Sequence, residues 1–316
     1  MSLAFLFPGQ GSQSVGMGAA LAEAFAPARE VFQEVDQALG QNLFKLMREG
    51  PEDELTLTEN AQPALMAVSM AVVRTLALEF KVPVEGVAFV AGHSLGEYSA
   101  LAAAEAFTLA DAARLLKRRG QAMQRAVPVG VGAMASLIGP KVDLALAEAA
   151  AAEGAKAGVC VVANDNNAGN IVISGDKAGV DRAIEAAKAM GARAIPLNVS
   201  APFHCPLMKP AAEEMAEALA AVAILQPKAP LVANVTARPL SDPDTIRALL
   251  VEQVTGRVRW RESLAWLGGE GQGGVTRFAE LGAGKVLTGM VKRSVPEAEA
   301  VALNAPEDLE SFAASL

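Results

Sequence analysis

At 316 residues, 52% apolar but only 4% aromatic, the chain can fill a large core or two ordinary domains, yet it offers no aromatic platform for stacking bases. A net charge of −8 excludes a general nucleic-acid binder, which needs a basic face for phosphates. Two cysteines without CxxC spacing and only two histidines leave no zinc cluster, and fit a reduced, cytoplasmic setting.

The opening MSLAFLFPGQG has no basic n-region and too short an apolar run for a signal peptide. No run of about 18 apolar residues marks a membrane span. Residues 3–7 read as a buried strand stopped by Pro8-Gly9, followed by a polar, glycine-rich loop and a helix from near Gly16 toward Phe25. Residues 61–80 carry apolar positions at helical spacing, with Pro63 placed in the first turn. A second buried strand is expected at 87–91, then a helix from Gly96 to about Ala106 and another from Leu109 to about Ala126.

The pattern changes at Pro128-Val-Gly-Val-Gly, which reads as a hinge. Beyond it come a strand (133–138), helix (141–153), strands (158–163 and 171–174), helix (176–190) and strand (193–198), the βαββαβ order of a ferredoxin-like unit. A helix at about 206–222, strands at 231–234 and 275–281, and a helix through Lys292 return to the first style. The expected fold is therefore α/β: residues 1–127 and 199–316 form a discontinuous core with a mostly parallel sheet, and 128–198 an inserted α+β subdomain.

Gly92-His-Ser-Leu-Gly96 matches G-x-S-x-G between a predicted buried strand and a predicted helix, the setting of a nucleophile elbow. Small flanking residues suit the crowded turn, and the helix N-terminus places free N–H groups and the dipole beside Ser94. The plain alternative is a strand-to-helix turn that happens to contain serine. Only His93 and His204 could serve as an imidazole base. His93 adjoins Ser94 on a sharp turn, so its side chain should point away and support the loop. His204 lies in an irregular loop before a helix, a place where catalytic groups gather, although a lone histidine is more often structural. The loop after the first strand offers an N–H from Gln10 to pair with that of Leu95 as an oxyanion hole.

Other strings fail their context. Gly130–Ala135 has dinucleotide-binding spacing but precedes a strand, and Gly284-Lys285 lacks the rest of a P-loop. Cys205 reads as a small buried hydrophobe. The basic run from Arg114 to Arg119 is by default a solvated helix face, from which Arg119 could reach the cleft.

Taken together, FPGQGSQ (7–13), GHSLGEYSAL (92–101), RRGQAMQ (118–124), GAMAS (132–136), Asn164 with Asn166, APFH (201–204), VEQVTGRVRW (251–260) and ELGAGKVLTG (280–289) resemble one family along almost the whole chain. It is that of the malonyl-CoA:acyl-carrier-protein transacylases and the acyltransferase domains of fatty-acid and polyketide synthases. The resemblance implies a hydrolase-like α/β core with a ferredoxin-like insert. It implies Ser94 as acylated nucleophile, His204 as base, Gln10 and Leu95 as oxyanion hole, Arg119 as holder of the malonyl carboxylate, and the Gln253 carbonyl as orienter of the histidine. His93, Met123, Asn164 and Phe203 are expected in the substrate pocket, and Phe203 before His204 implies a preference for malonyl over methylmalonyl. The implied substrates are malonyl-CoA and holo acyl carrier protein, with no cofactor, no metal, no nucleic acid and no membrane. A cytoplasmic monomer is expected. An acidic carrier protein would need a local basic patch, for which Lys285, Lys292, Arg293, Arg257 and Arg259 are candidates. A thioesterase using Ser94 and His204 without Arg119, and a non-catalytic interaction subunit, are the rival readings.

Overall fold

In the computed structural model, which describes residues 2–128, 130–269 and 272–316, the short apolar runs become the inner strands of a six-stranded sheet. The strands among the described residues are β1 (Leu3–Phe7), β2 (Phe89–Gly92), β3 (Gly132–Ile138), β4 (Cys160–Asn167), β5 (Asn170–Asp176) and β6 (Arg193–Pro196). They continue with β7 (Leu231–Val232), β8 (Pro239–Leu240), β9 (Arg277–Leu281) and β10 (Glu299–Leu303). The larger sheet runs β10-β9-β1-β2-β7-β8 and is parallel apart from the short β7–β8 edge pair.

Side-chain alternation explains why β1 is apolar throughout. Phe5 and Phe7 enter the core formed with the long helix Thr58–Leu78, while Ala4 and Leu6 face the opposite layer with Trp260, Leu264 and Val291. A strand covered on both faces has no solvent side on which to place polar residues. Thr58–Leu78 is the one described helix long and apolar enough to cross a membrane, and it lies largely buried within this core. It begins before the apolar pattern does, because Thr58, Glu59 and Asn60 make a polar first turn; Pro63 therefore sits in the second turn, a correction to the sequence reading.

The middle of the chain builds a separate antiparallel sheet, β4-β5-β3-β6, with helices Leu144–Gly154 and Lys177–Ala189 packed together on it around their own apolar cluster. That strand order is the ferredoxin-like one expected from the βαββαβ pattern. The expected hinge at 128–132 includes Val129, which lies outside the described residues. β4 extends to Asn167, beyond the predicted 163, through the polar run Asn164-Asp-Asn-Asn. These residues are buried at the joint between the two sheets. Val258 N–H donates to Ala163 O at 2.8 Å, Asp165 N–H donates to Val258 O at 2.9 Å, and Arg261 forks onto the Asp165 carboxylate at 2.7–3.1 Å. These partners satisfy the backbone at 163–165 and the Asp165 carboxylate, in a polar stretch of strand that apolar alternation could not reveal.

β10, an edge strand only partly covered, and the helices Ala26–Leu39 and Pro306–Ala314 were not among the expected elements. At their C-terminal ends β1 and β2 press against the following helix. A Cβ on Gly96 would stand 2.2 Å from Phe7 O, and one on Gly92 1.9 Å from Gly96 O. Gly96→Ala should therefore cost about 2 kcal/mol or more of unfolding free energy, read by chemical denaturation; wild-type stability would show that this contact relaxes freely.

Candidate active site

Ser94 stands between β2 and the helix Gly96–Ala103, at the carboxyl ends of the parallel strands. Its φ of 53° is the left-handed conformation that costs a residue with a side chain. Asn234, fully buried after β7, fixes this backbone from both sides: its Oδ1 accepts from Ser94 N–H at 2.8 Å, and its Nδ2 donates to Gly92 O at 2.7 Å. Five non-glycine residues among those described have positive φ, and two of them are Ser94 and His204, at 53° and 57°.

His204 is the partner that Ser94 meets, with Oγ to Nε2 2.7 Å. The other ring nitrogen, Nδ1, lies 2.9 Å from Gln253 O and 3.1 Å from Gly256 O. Both are carbonyl acceptors, so Nδ1 carries the proton and Nε2 is left with a lone pair for the serine hydroxyl. Burial, followed by the nearby Arg119 charge, lowers the His204 pKa to about 3. The imidazole is thus kept neutral, the form a general base requires. Among the described residues no carboxylate takes part in holding it.

Arg119 is almost wholly buried and points at the same hydroxyl. Nη2 donates to Ser94 Oγ at 3.1 Å and to Gln253 Oε1 at 2.8 Å, and Nη1 donates to Gln62 Oε1 at 2.9 Å. The guanidinium lies 5.6 Å from the centre of the Tyr98 ring. Gln253 completes the frame: Nε2 donates to Ser94 O at 2.9 Å and to Glu97 Oε2 at 2.7 Å. Burial lifts the carboxyl of Glu97 to about 7, against the lowering effect of Gln253, Asn234 and Arg119.

A cleft of about 270 Å³ opens over Ser94 between the two sheets. Gln10, Leu95, Arg119 and His204 line it, as do the expected pocket residues His93, Met123, Asn164 and Phe203. Leu95 is the N-cap of the helix Gly96–Ala103, so its N–H lies outside the helix's own hydrogen bonds. The Gln10 side chain is held by Thr58 Oγ1 at 2.9 Å, and Thr58 in turn accepts from Gln62 Nε2 at 2.9 Å. A chain of hydrogen bonds therefore joins the Gln10 loop to Arg119. His93 turns from Ser94 toward the smaller sheet, with Nε2 2.8 Å from Asn166 Oδ1 and its ring against Trp260. Cys205 is buried and donates its S–H to Pro202 O at 3.1 Å. Among the described residues no cluster of three or more histidine, cysteine or acidic side chains could hold a metal.

Sequence reasoning missed Asn234, Gln62, Thr58 and Glu97. Gln62 had a detectable signal, a polar residue inside an otherwise apolar helical stretch; Asn234 had none beyond its place after a short strand. Two candidates for the basic patch need correction. Arg257 is paired with Glu148 at 2.8 Å, and Arg259 forks onto Glu262, so neither offers an uncommitted charge.

A family model described as acyl transferase domain matches residues 4–305. The chain is similar to the malonyl CoA-acyl carrier protein transacylase of Bacillus subtilis (strain 168), 45% identical over 309 residues that cover 98% of this chain and 95% of that protein. It also superimposes on the crystal structure of acyl-carrier-protein-S-malonyltransferase from Bartonella henselae, with TM-score 0.96, 52% identity, and coverage of 100% of this chain and 99% of the other. A third likeness is to a malonyl-transacylase in complex with its type II PKS acyl-carrier protein, with TM-score 0.95, 41% identity and all of both chains covered.

Two measurements follow from this geometry. In ¹⁵N NMR the chain's two histidines give few signals to assign; at about pH 5 His204 should remain the neutral Nδ1–H tautomer, below its ordinary pKa of about 6.5. An imidazolium at that pH would remove it as a poised base. Asn234→Ala should slow serine acylation by about 10-fold or more, because one donor and one acceptor on the elbow lose their partner. An unchanged acylation rate would mean that the elbow holds its shape alone.

Proposed function

The chain belongs to the acyl transferase domain family, and from that premise we propose that it is an acyltransferase moving malonyl groups from malonyl-CoA to the phosphopantetheine thiol of acyl carrier protein. The observation that carries this reading is Arg119. Each hydrogen-bond acceptor it reaches, on Gln62, Gln253 and Ser94, is a neutral oxygen. A buried guanidinium 3.1 Å from the nucleophile, with no carboxylate ligand among the described residues, leaves the anion to be supplied by the substrate. A hydrolase for uncharged acyl groups has no use for that cation.

In the first half-reaction His204 Nε2 takes the Ser94 proton as Oγ attacks the thioester carbonyl. The N–H groups of Gln10 and Leu95 receive the oxyanion, a donor pair of which each member contributes about 3 kcal/mol in related sites. The C–S bond breaks, and the departing thiolate takes the proton from His204. In the second half-reaction the carrier thiol gives its proton to Nε2 and attacks the malonyl-serine ester, and the proton returns to Oγ. No cofactor enters these steps. The Arg119 fork suits the planar carboxylate of malonate better than an ammonium would, and an acetyl group would leave it unpaired. Phe203 beside His204 supports a preference for malonyl over methylmalonyl.

The carrier protein would meet the exposed Lys285, Lys292 and Arg293 at the two ends of the helix Val286–Ser294. Gly284 packs near Ser12, next to Gln13 at the cleft, so the Lys285 end is close to the cleft mouth. Residues 128–198 we read as a subdomain that covers the cleft, with His93, Asn164 and Asn166 at its seam. Two free, buried cysteines suit the reducing cytoplasm.

Intact-protein mass spectrometry after incubation with malonyl-CoA should show one malonyl adduct, absent from Ser94→Ala and discharged by holo acyl carrier protein. Release to water alone would favour a thioesterase. Arg119→Ala should lose malonyl transfer by about 100-fold or more while acetyl transfer falls much less; equal losses would strip Arg119 of its carboxylate role. Lys285→Glu should raise the carrier-protein KM several-fold at low salt and leave the malonyl-CoA half-reaction unchanged.

A further inference from the structure

Glu97 is a buried acid that the reaction described above does not use. It lies one amide away from Arg119: Arg119 Nη2 to Gln253 Oε1 is 2.8 Å, and Gln253 Nε2 to Glu97 Oε2 is 2.7 Å. The backbone N–H of Asn234 donates to the same Oε2 at 3.2 Å. A primary amide between a cation and an anion aligns its dipole with both, oxygen toward the guanidinium and nitrogen toward the carboxylate. Glu97, together with Ser94 O, therefore sets which way the Gln253 amide faces. It is also the acid tied to Arg119 through that amide.

We propose that Glu97 is a positioning residue that acts as the stand-in counter-charge of Arg119 and surrenders that charge, by taking a proton from solvent, when the substrate carboxylate arrives. This rests on Arg119 as the carboxylate holder. A malonyl carboxylate bound to Arg119 brings a second negative charge into the same buried pocket, and two anions around one cation in low dielectric repel. Neutralising one of them removes the repulsion. Both hydrogen bonds to Glu97 fall on Oε2, so Oε1 is the oxygen that receives the proton. Protonated Glu97 still accepts from Gln253 and Asn234, so the amide keeps its direction and His204 and Arg119 keep their places.

Few other charges face this group. Arg119 reaches it from the helix Leu109–Ala126, Tyr98 adjoins it on its own helix, and His204, held neutral, lies beyond Gln253. The buried residues of β1, β2 and the helix Thr58–Leu78 packed against it are uncharged. Burial poises the carboxyl near pH 7, where a change in neighbouring charge shifts its proton occupancy most.

The test is calorimetric titration of the Ser94→Ala protein, which cannot turn over, in phosphate and in Tris buffers. Near pH 7 malonyl-CoA should bind with uptake of up to about half a proton more than acetyl-CoA, which carries the same coenzyme phosphates. Its affinity should weaken several-fold from about pH 6 to about pH 8, while that for acetyl-CoA changes no more than the coenzyme itself dictates. In Ser94→Ala/Glu97→Gln the extra proton uptake should vanish and the extra pH dependence flatten, an outcome that a purely structural role for Glu97 would not produce. Should that double variant fail to fold, the carboxyl ¹³C resonance of Glu97 in Ser94→Ala decides, expected to move toward its protonated position with malonyl-CoA and not with acetyl-CoA. If malonyl-CoA binds more tightly than acetyl-CoA with equal proton counts, Arg119 stands and the role of Glu97 falls. Uptake that persists in Glu97→Gln assigns the proton elsewhere and overturns the proposal. Equal affinities for the two thioesters overturn the Arg119 reading, and this one with it.

Discussion

Gln253 is the residue through which the polar groups around Ser94 are joined. Its backbone carbonyl holds His204, its side-chain oxygen holds Arg119, and its side-chain nitrogen holds Ser94 O and Glu97. A neutral group suits this position for an electrostatic reason. A carboxylate on His204 Nδ1 would lie beside Arg119 and pair with it, consuming the charge reserved for the substrate. Carbonyl acceptors fix the tautomer and ring orientation without adding an anion. A buried imidazole, a buried guanidinium and a serine hydroxyl can then share one small space, with neither basic group protonating or neutralising the other.

The smaller sheet is tied to that centre by backbone and side chain together. Residues 163–165 exchange hydrogen bonds with Val258, only two residues past Gly256, whose carbonyl also accepts from His204. Asn166 meets His93 beside the nucleophile, and Arg261 locks Asp165. A displacement of the small sheet would therefore reach both sides of the Ser94–His204 pair. Buried polar contacts of this kind specify one arrangement of the two sheets, since a shifted joint would strand several unpaired groups.

Much of this was legible in the chain. Continuous apolar runs at 3–7 and 87–91 marked strands covered on both faces, and the βαββαβ succession marked the second sheet, because burial leaves a periodic trace. GHSLG between strand and helix pointed to the elbow, and the scarcity of histidine pointed to His204. The frame around them was not legible in the same way. Asn234, Gln62, Thr58 and Glu97 act through single hydrogen bonds across long separations, and one polar residue has no period. Resemblance to a family supplied Arg119 and Gln253, which composition and spacing alone could not separate from a solvated helix face. β4 was cut short for the same reason: its last residues are polar, and besides the neighbouring β5 what holds them, Val258 and Arg261, lies about ninety residues away.

The two acceptors on His204 Nδ1 are main-chain oxygens. Replacing Gln253 or Gly256 leaves such an oxygen in the chain, so a scan of side-chain truncations perturbs Arg119 and Ser94 while leaving the histidine's own support nearly untouched. Counted by side chains, the site is a dyad. Counted by atoms, it has a third member written in the peptide backbone, beyond the reach of any single codon change.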